Sequence, residues 1–180
     1  VRSKGELREW ARSIDPATED ESRAVAGHVS CFLAENSWTV ILTFLAMPGE
    51  VDLATVNGPF ERAVTRTPRK GPLTIHRLTD ELEPHPFGYL QPRADAPTVE
   101  PQSIEAVLVP GVLFGLDGSR LGHGRGYYDK LLASFTHRPF LLGVTLQRRL
   151  VSEVPMTRSD VYMDAVVTEL GVRPANSATR

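Results

Sequence analysis

The chain has 180 residues, with 20 Lys+Arg against 22 Asp+Glu and a net charge of −2 when histidine is neutral. Its 41% hydrophobic and 23% charged residues are ordinary for a folded soluble domain, which excludes disorder, and no apolar run approaches the ~18–20 residues of a membrane span. The single Cys31 excludes a disulfide scaffold and an all-cysteine metal site, and near-neutrality removes the bulk field of a dedicated duplex-DNA binder. Residues 4 to about 14 read as a helix, started by a capping box of Ser3 and Glu6 and carrying Leu7, Trp10, Ala11 and Ile14 at helical spacing. Lys4, Arg8 and Arg12 then form a basic stripe, and Pro16 closes the segment. Thr18 and Glu21 form a second capping box before a helix that ends near Asn36, with Val25, Val29, Phe32 and Leu33 as its apolar stripe. Cys31 is expected to be a small buried residue on that helix.

Trp38–Leu45 reads as a buried strand, Met47–Glu50 as a turn and Asp52–Val56 as a short helical stretch broken by Asn57–Pro59. Ala63–Thr67 and Leu73–Leu78 are strand candidates. Six of the 14 prolines fall between Pro84 and Pro110, so that region is extended or looped. Ile104–Val109 is another strand, Tyr127–Phe135 a helix, Phe140–Leu146 a strand and Ala165–Thr168 a short one. Short buried strands alternating with helices predict an α/β fold, a three-layer sandwich with a mostly parallel central sheet and helices on both faces. Ligands in such folds sit beyond the carboxyl ends of the strands. A single domain over 1–180 is expected, and without a secretory-type apolar segment the expected location is cytoplasmic.

Six of the 14 glycines lie between positions 111 and 126. The segment Ile104–Leu132 (IEAVLVPGVLFGLDGSRLGHGRGYYDKLL) reads as strand, glycine-rich loop, helix, an order that aims backbone N–H groups and a helix N-terminus at phosphate. Arg120, His123 and Arg125 add donors suited to phosphate oxygens. The G-x-G-x-G spacing matches neither the P-loop nor the dinucleotide fingerprint. Asp129, one turn into the helix, would repel phosphate unless a cation lies between them, and Mg²⁺ binds in that way through one or two carboxylates plus phosphate oxygens.

The run VLVPGVLFGLDGSRLGHGRGYYDKLL closely resembles the signature of 5-formyltetrahydrofolate cyclo-ligases. Three weaker segments fit in order: Lys4–Arg8 (KGELR), Phe44–Glu50 (FLAMPGE) and Ser159–Glu169 (SDVYMDAVVTE). The resemblance implies ATP- and Mg²⁺-dependent closure of 5-formyltetrahydrofolate to 5,10-methenyltetrahydrofolate, with ADP and phosphate released. It implies ATP contacts from Lys4, Arg8, Arg120, Leu121, Gly122, His123, Gly124, Arg125, Gly126, Tyr127 and Tyr128, within a glycine-rich nucleotide loop at 118–129. Folate contacts are implied for Leu45, Met47, Glu50, Gly124, Arg125, Gly126 and Tyr127, and catalytic roles for Arg125 and Tyr128. Asp129 and Asp164 match the family's Mg²⁺ positions; Asp160 also matches, without an assigned role.

The chain departs from the family pattern in being shorter between Glu50 and Pro68, and in carrying Gln91 where Glu is usual. Partners are expected to be small molecules, ATP and a reduced folate, with neither nucleic acid nor membrane, and the chain a monomer or alternatively a dimer. Two other readings are a nucleotide-binding module without folate turnover and a nucleic-acid-associated protein using Arg62, Arg66, Arg69 and Lys70. The second lacks any aromatic–basic interleaving.

Overall fold

The computed structural model describes residues 2–176. In chain order the elements are α1 (Lys4–Ala11), α2 (Glu19–Asn36), β1 (Val40–Thr43), β2 (Glu61–Arg66), β3 (Thr74–Arg77), β4 (Leu82–Pro84), β5 (Leu90–Pro92), β6 (Ala106–Pro110), β7 (Leu113–Gly115), β8 (Arg120–Leu121), α3 (Tyr127–Ala133), β9 (Phe140–Val144), β10 (Leu150–Val151), β11 (Ala165–Thr168) and β12 (Gly171–Pro174). Both capping boxes form: the Ser3 and Thr18 hydroxyls accept the Glu6 and Glu21 N–H groups, and each glutamate accepts the cap N–H in return. This satisfies donors that a helix start otherwise leaves unpaired.

Seven strands form one sheet in the order β12-β11-β9-β6-β1-β2-β3. The five inner strands pair in parallel, and an antiparallel strand closes each edge. Alternate residues feed two cores, as the two-residue period of a strand requires. Ile41, Leu108, Leu142 and Val167 meet Val25, Val29 and Leu33 of α2 on one face. On the other face Leu42, Val107, Leu141 and Val166 meet Leu131 and Leu132 of α3. The expected three layers are present, whereas α1 lies apart from them. Its Leu7 and Ala11 bury against Leu113 and Leu121 of a second, three-stranded sheet, β10-β7-β8.

Several local expectations are corrected. The 52–56 stretch is not a helix: Val51, Leu53 and Val56 are buried from an irregular segment, whose Asp52 and Asn57 N–H groups donate to the Ser22 and Ser30 hydroxyls of α2. Those side chains replace the bonds a helix would supply. Cys31 is exposed, not buried, because it lies off the Val25–Val29–Leu33 stripe of α2. The glycine-rich segment is not one loop. Its first half builds the β7–β8 hairpin, where Gly118 has φ +88° and an added Cβ would lie 2.5 Å from the Met163 carbonyl oxygen. Only residues 122–126 form the loop leading into α3. Gln91 is buried as a brace, accepting from Thr67 N–H at 3.2 Å and donating to Glu83 at 3.2 Å.

The sheet topology fixes where a ligand would sit. The chain runs from β1 to β2 and β3 on one side, then returns to place β6, β9 and β11 on the other. The order therefore reverses between β1 and β6, and an open parallel sheet has its binding crevice beyond the carboxyl ends of the strands at such a switch point.

Candidate functional site

A cavity of about 900 Å³ opens at that point, with Phe44 and Leu45 after β1 and Pro110 at the end of β6 in its wall. It brings together residues distant in sequence: Lys4 and Arg8 from α1, Met47 and Glu50 from the turn after β1, Arg120, the loop from Gly122 to Gly126, and Tyr127, Tyr128 and Asp129 of α3. The loop is held against α1, since Arg8 Nε donates to the Gly122 carbonyl at 2.9 Å. Gly126 starts α3 with φ +66°, in the left-handed region that favours glycine, and no side chain caps this helix.

Charge is unevenly distributed. The lining carries six cationic residues (Lys4, Arg8, Arg120, Arg125, Lys130 and Arg158) against three acids (Glu50, Asp129 and Asp160). Each acid already has a protein partner. Asp160 pairs with Lys4, Asp129 Oδ1 with Arg120 at 2.7 Å, and Glu50 Oε1 with His123 Nε2 at 2.9 Å. Among the described residues Arg8, Arg125, Lys130 and Arg158 form no ion pair, so this side of the cavity favours an anion. Burial alone would raise Asp160, but donors from Lys4 and Thr157 outweigh it and keep the carboxyl below its ordinary range.

The opposite wall is apolar and aromatic, formed by Leu45, Met47, Leu73, Phe87, Tyr89 and Leu90. The β4–β5 hairpin carries its aromatic part: His85 stacks on Tyr89 with centroids 4.4 Å apart, and the Tyr89 hydroxyl bonds Thr67 at 2.8 Å. The Arg125 guanidinium sits over Phe87, 4.6 Å from the ring centroid, which joins the apolar wall to the glycine loop. Glu50 lies between the two halves, its Oε2 accepting Met47 N–H at 2.9 Å.

Two sequence expectations change. Asp164 is not in the cavity lining. It precedes β11, accepts Leu141 N–H at 2.8 Å at the start of β9, and pairs with Arg138 at 2.8 Å. That is the amino end of the strands, opposite the cavity, and Asp160 is the carboxylate of that segment that lines the site. Leu121 is fully buried beneath α1 rather than lining the cavity. The Tyr128 hydroxyl is buried, and desolvation pushes its pKa far up, an effect Thr65 offsets only in part. Tyr128 itself lines the cavity.

Sequence reasoning missed Phe87, Tyr89 and Arg158. The run His85-Pro-Phe-Gly-Tyr89 was the available signal, because aromatic residues in a proline-rich loop have no core periodicity to serve. Half of the basic cluster offered as a nucleic-acid contact is engaged internally, since Arg66 pairs with Glu83 at 2.6 Å and Arg62 donates to the Val56 carbonyl at 3.1 Å, while Arg69 and Lys70 are exposed.

Comparisons with known proteins agree with this architecture. Residues 4–169 match the model of the 5-formyltetrahydrofolate cyclo-ligase family. The chain is 34% identical over 107 residues to the 5-formyltetrahydrofolate cyclo-ligase of Saccharomyces cerevisiae, which covers 53% of this chain and 50% of that one. It thus spans about half the length of that relative. The Escherichia coli 5-formyltetrahydrofolate cyclo-ligase is 27% identical over 175 residues, covering 90% of this chain and 96% of the relative. Among solved structures, the Aquifex aeolicus 5,10-methenyltetrahydrofolate synthetase superposes with a TM-score of 0.78 at 26% identity, over 98% of this chain and 95% of that one. A match reaching from α1 to the end of β11, over a fold shared throughout, shows that the chain belongs to the 5-formyltetrahydrofolate cyclo-ligase family.

Proposed function

We propose that the chain catalyses the ATP- and Mg²⁺-dependent cyclisation of 5-formyltetrahydrofolate to 5,10-methenyltetrahydrofolate, releasing ADP and phosphate. The observation that carries this reading is the two-sided cavity. Unpaired cations and a glycine loop suited to phosphates face an aromatic wall suited to a flat heterocycle, with Glu50 between them. The volume of about 900 Å³ lies at the upper end of small-molecule sites, as two substrates in one cavity require.

The reaction needs the formyl oxygen, a poor leaving group on a resonance-stabilised amide, to become phosphate. Phosphoryl transfer from ATP to that oxygen gives an iminium phosphate at N5. The N10 amine attacks the formyl carbon and loses its proton, and phosphate departs with the oxygen. Catalysis of such a transfer is chiefly positioning and charge stabilisation. Arg8 and the 122–126 backbone hold the triphosphate, while Arg125 swings from Phe87 to the transferred phosphoryl group and the formyl oxygen. Arg158 adds charge at the rim. Glu50 accepts from the donor edge of the pterin, and Leu45, Met47 and Tyr89 cover its faces. Tyr128 contributes a wall and a neutral hydroxyl.

The residues present also fit Mg²⁺. Asp129 and Asp160 line the cavity, and each gives protein donors only one oxygen, Oδ1 and Oδ2 respectively. No cluster of three or more acidic, histidine or cysteine ligands exists among the described residues. That suits an ion held by few carboxylates and mainly by phosphate oxygens. When bound, Mg²⁺ supplies charge neutralisation on the phosphates.

The reading includes one functional domain over 1–180 and a small-molecule-only partnership. No helix of the described residues is long and apolar enough to cross a membrane. The test is the methenyl absorbance that develops on mixing the chain with 5-formyltetrahydrofolate and Mg·ATP. A rise that requires ATP is expected; ATP binding without any rise would overturn the proposal.

A further inference from the structure

Beside the main cavity lies a second one of about 390 Å³, sharing Arg8, Phe44, Glu50, Pro110 and His123 as its wall. The Glu50–His123 contact is thus common to both. Its own lining is largely apolar, with Ile14, Pro16, Val112, Val144 and Leu146, and it includes Arg149 and Arg12.

Arg149 is unusual in this setting. It is half-buried, and among the described residues it has no carboxylate partner. Its Nη1 reaches the Ala11 and Val112 carbonyls at 3.4 and 3.3 Å, and its Nη2 reaches Ile14 at 3.2 Å. These contacts are long, and a guanidinium has five N–H donors, so capacity remains. Desolvation pulls its pKa down, with neighbouring Arg148 adding to the effect and Glu50 opposing it. Arg12, by contrast, pairs with Glu9 in solvent. The one acid in the lining, Glu50, has both oxygens occupied, by His123 and by Met47 N–H. Thr145 also lines the cavity, and its hydroxyl is buried with no partner among the described residues. A partly desolvated cation served only by neutral carbonyls is poorly compensated, and an anion in the cavity would correct that.

We propose that this second cavity is a carboxylate subsite, which seats an organic anion with a compact apolar body and binds its carboxylate through Arg149. Two sources share that chemistry: the benzoyl-glutamate tail of a reduced folate reaching past the Glu50–His123 wall, and a separate carboxylate metabolite. The proposal rests on the cyclo-ligase reading only for the first source. The planar guanidinium fork supplies the directional contact, and the apolar walls cover the body of the ligand.

The test is a titration of the full chain, carrying isotope-labelled arginine and threonine, with p-aminobenzoylglutamate, followed by NMR. Saturable shifts at Arg149 and Thr145 are expected. Arg149→Gln should weaken that binding about 10- to 100-fold, and Arg149→Lys should fall between, because it keeps the charge and loses the fork. Prior saturation with 5-formyltetrahydrofolate distinguishes the sources: displacement of the probe assigns the tail, and undiminished binding assigns a separate ligand. Absence of saturable shifts at Arg149, or an affinity unchanged in folded Arg149→Gln, would overturn the subsite. If that variant does not fold, the titration of the unaltered chain decides alone. Failure of the cyclo-ligase reading would appear separately, as absent methenyl absorbance.

Discussion

Asp129→Asn removes one carboxylate charge with almost no change of shape, and two consequences follow from its position. The Arg120 side chain it meets is only 4% exposed, and Asp129 itself is 21% exposed. Breaking a fully buried pair costs about 3–5 kcal/mol, because a charge is left uncompensated. Here Arg120 keeps its bond to the Pro110 carbonyl at 3.1 Å, and water reaches Asp129, so about 2–3 kcal/mol is expected at neutral pH. For a chain of this length that lowers the melting temperature by about 5–10 °C. The second consequence concerns the ligand. With one of the two carboxylates suited to Mg²⁺ neutralised, turnover should fall about 100-fold or more and the Mg²⁺ requirement should rise. Thermal unfolding without ligands measures the first effect, and initial rates across a Mg²⁺ series measure the second. Unchanged turnover at saturating Mg²⁺ would remove Asp129 from the metal site, and an unchanged melting temperature would mean that Arg120 does not depend on Asp129 for its compensation.

Glu50→Ala should raise the folate KM about 10- to 100-fold while leaving the ATP KM within about twofold; equal loss of both would indicate a folding defect instead. Glu21, held at about 2 by Arg148 and by its cap to Thr18, contributes stability that is present above about pH 4.5 and is lost as pH falls toward 2. Glu21→Gln should therefore cost about 1–2 kcal/mol at pH 7 after allowance for solvent screening, and should flatten the acid limb of a urea-stability series; parallel acid limbs in the two proteins would contradict this. Gly118→Ala places a Cβ 2.5 Å from the Met163 oxygen at φ +88°, and about 2–4 kcal/mol of destabilisation is expected by chemical denaturation. A stability equal to that of the unaltered chain would mean that the turn does not approach Met163 so closely.

The parts of the fold that local chemistry dictates were legible. Ser3 with Glu6 and Thr18 with Glu21 are complete capping boxes in the sequence, and the apolar runs around Ile41, Val107 and Leu142 leave a buried parallel strand as the simplest structure. Periodicity also contained the exposure of Cys31, two residues beyond Val29 and so well round the helix. What depends on tertiary placement was not legible. Asp160 and Asp164 are four residues apart, and only the path of the irregular segment leading into β11 decides that one lines the cavity at the carboxyl ends of the strands while the other ties down the amino ends. The six clustered glycines look alike in sequence, yet Gly118 serves a hairpin packed against Met163 and Gly126 opens the loop into α3. Phe87 and Tyr89 belong to a two-stranded hairpin too short to show alternation.

The near-neutral charge of the whole chain conceals a strongly local arrangement. Lys4, Arg8, Arg120, Arg125 and Arg158 converge on one cavity from three separated stretches of sequence. In the proposed reaction, the γ-phosphoryl group of ATP passes to the formyl oxygen within this cavity. The direct measurement uses 5-formyltetrahydrofolate labelled with ¹⁸O in the formyl group, with the released phosphate analysed by mass spectrometry. One ¹⁸O in each phosphate, with one methenyl product formed per ADP, is the predicted result. Unlabelled phosphate accompanying methenyl formation would exclude that transfer.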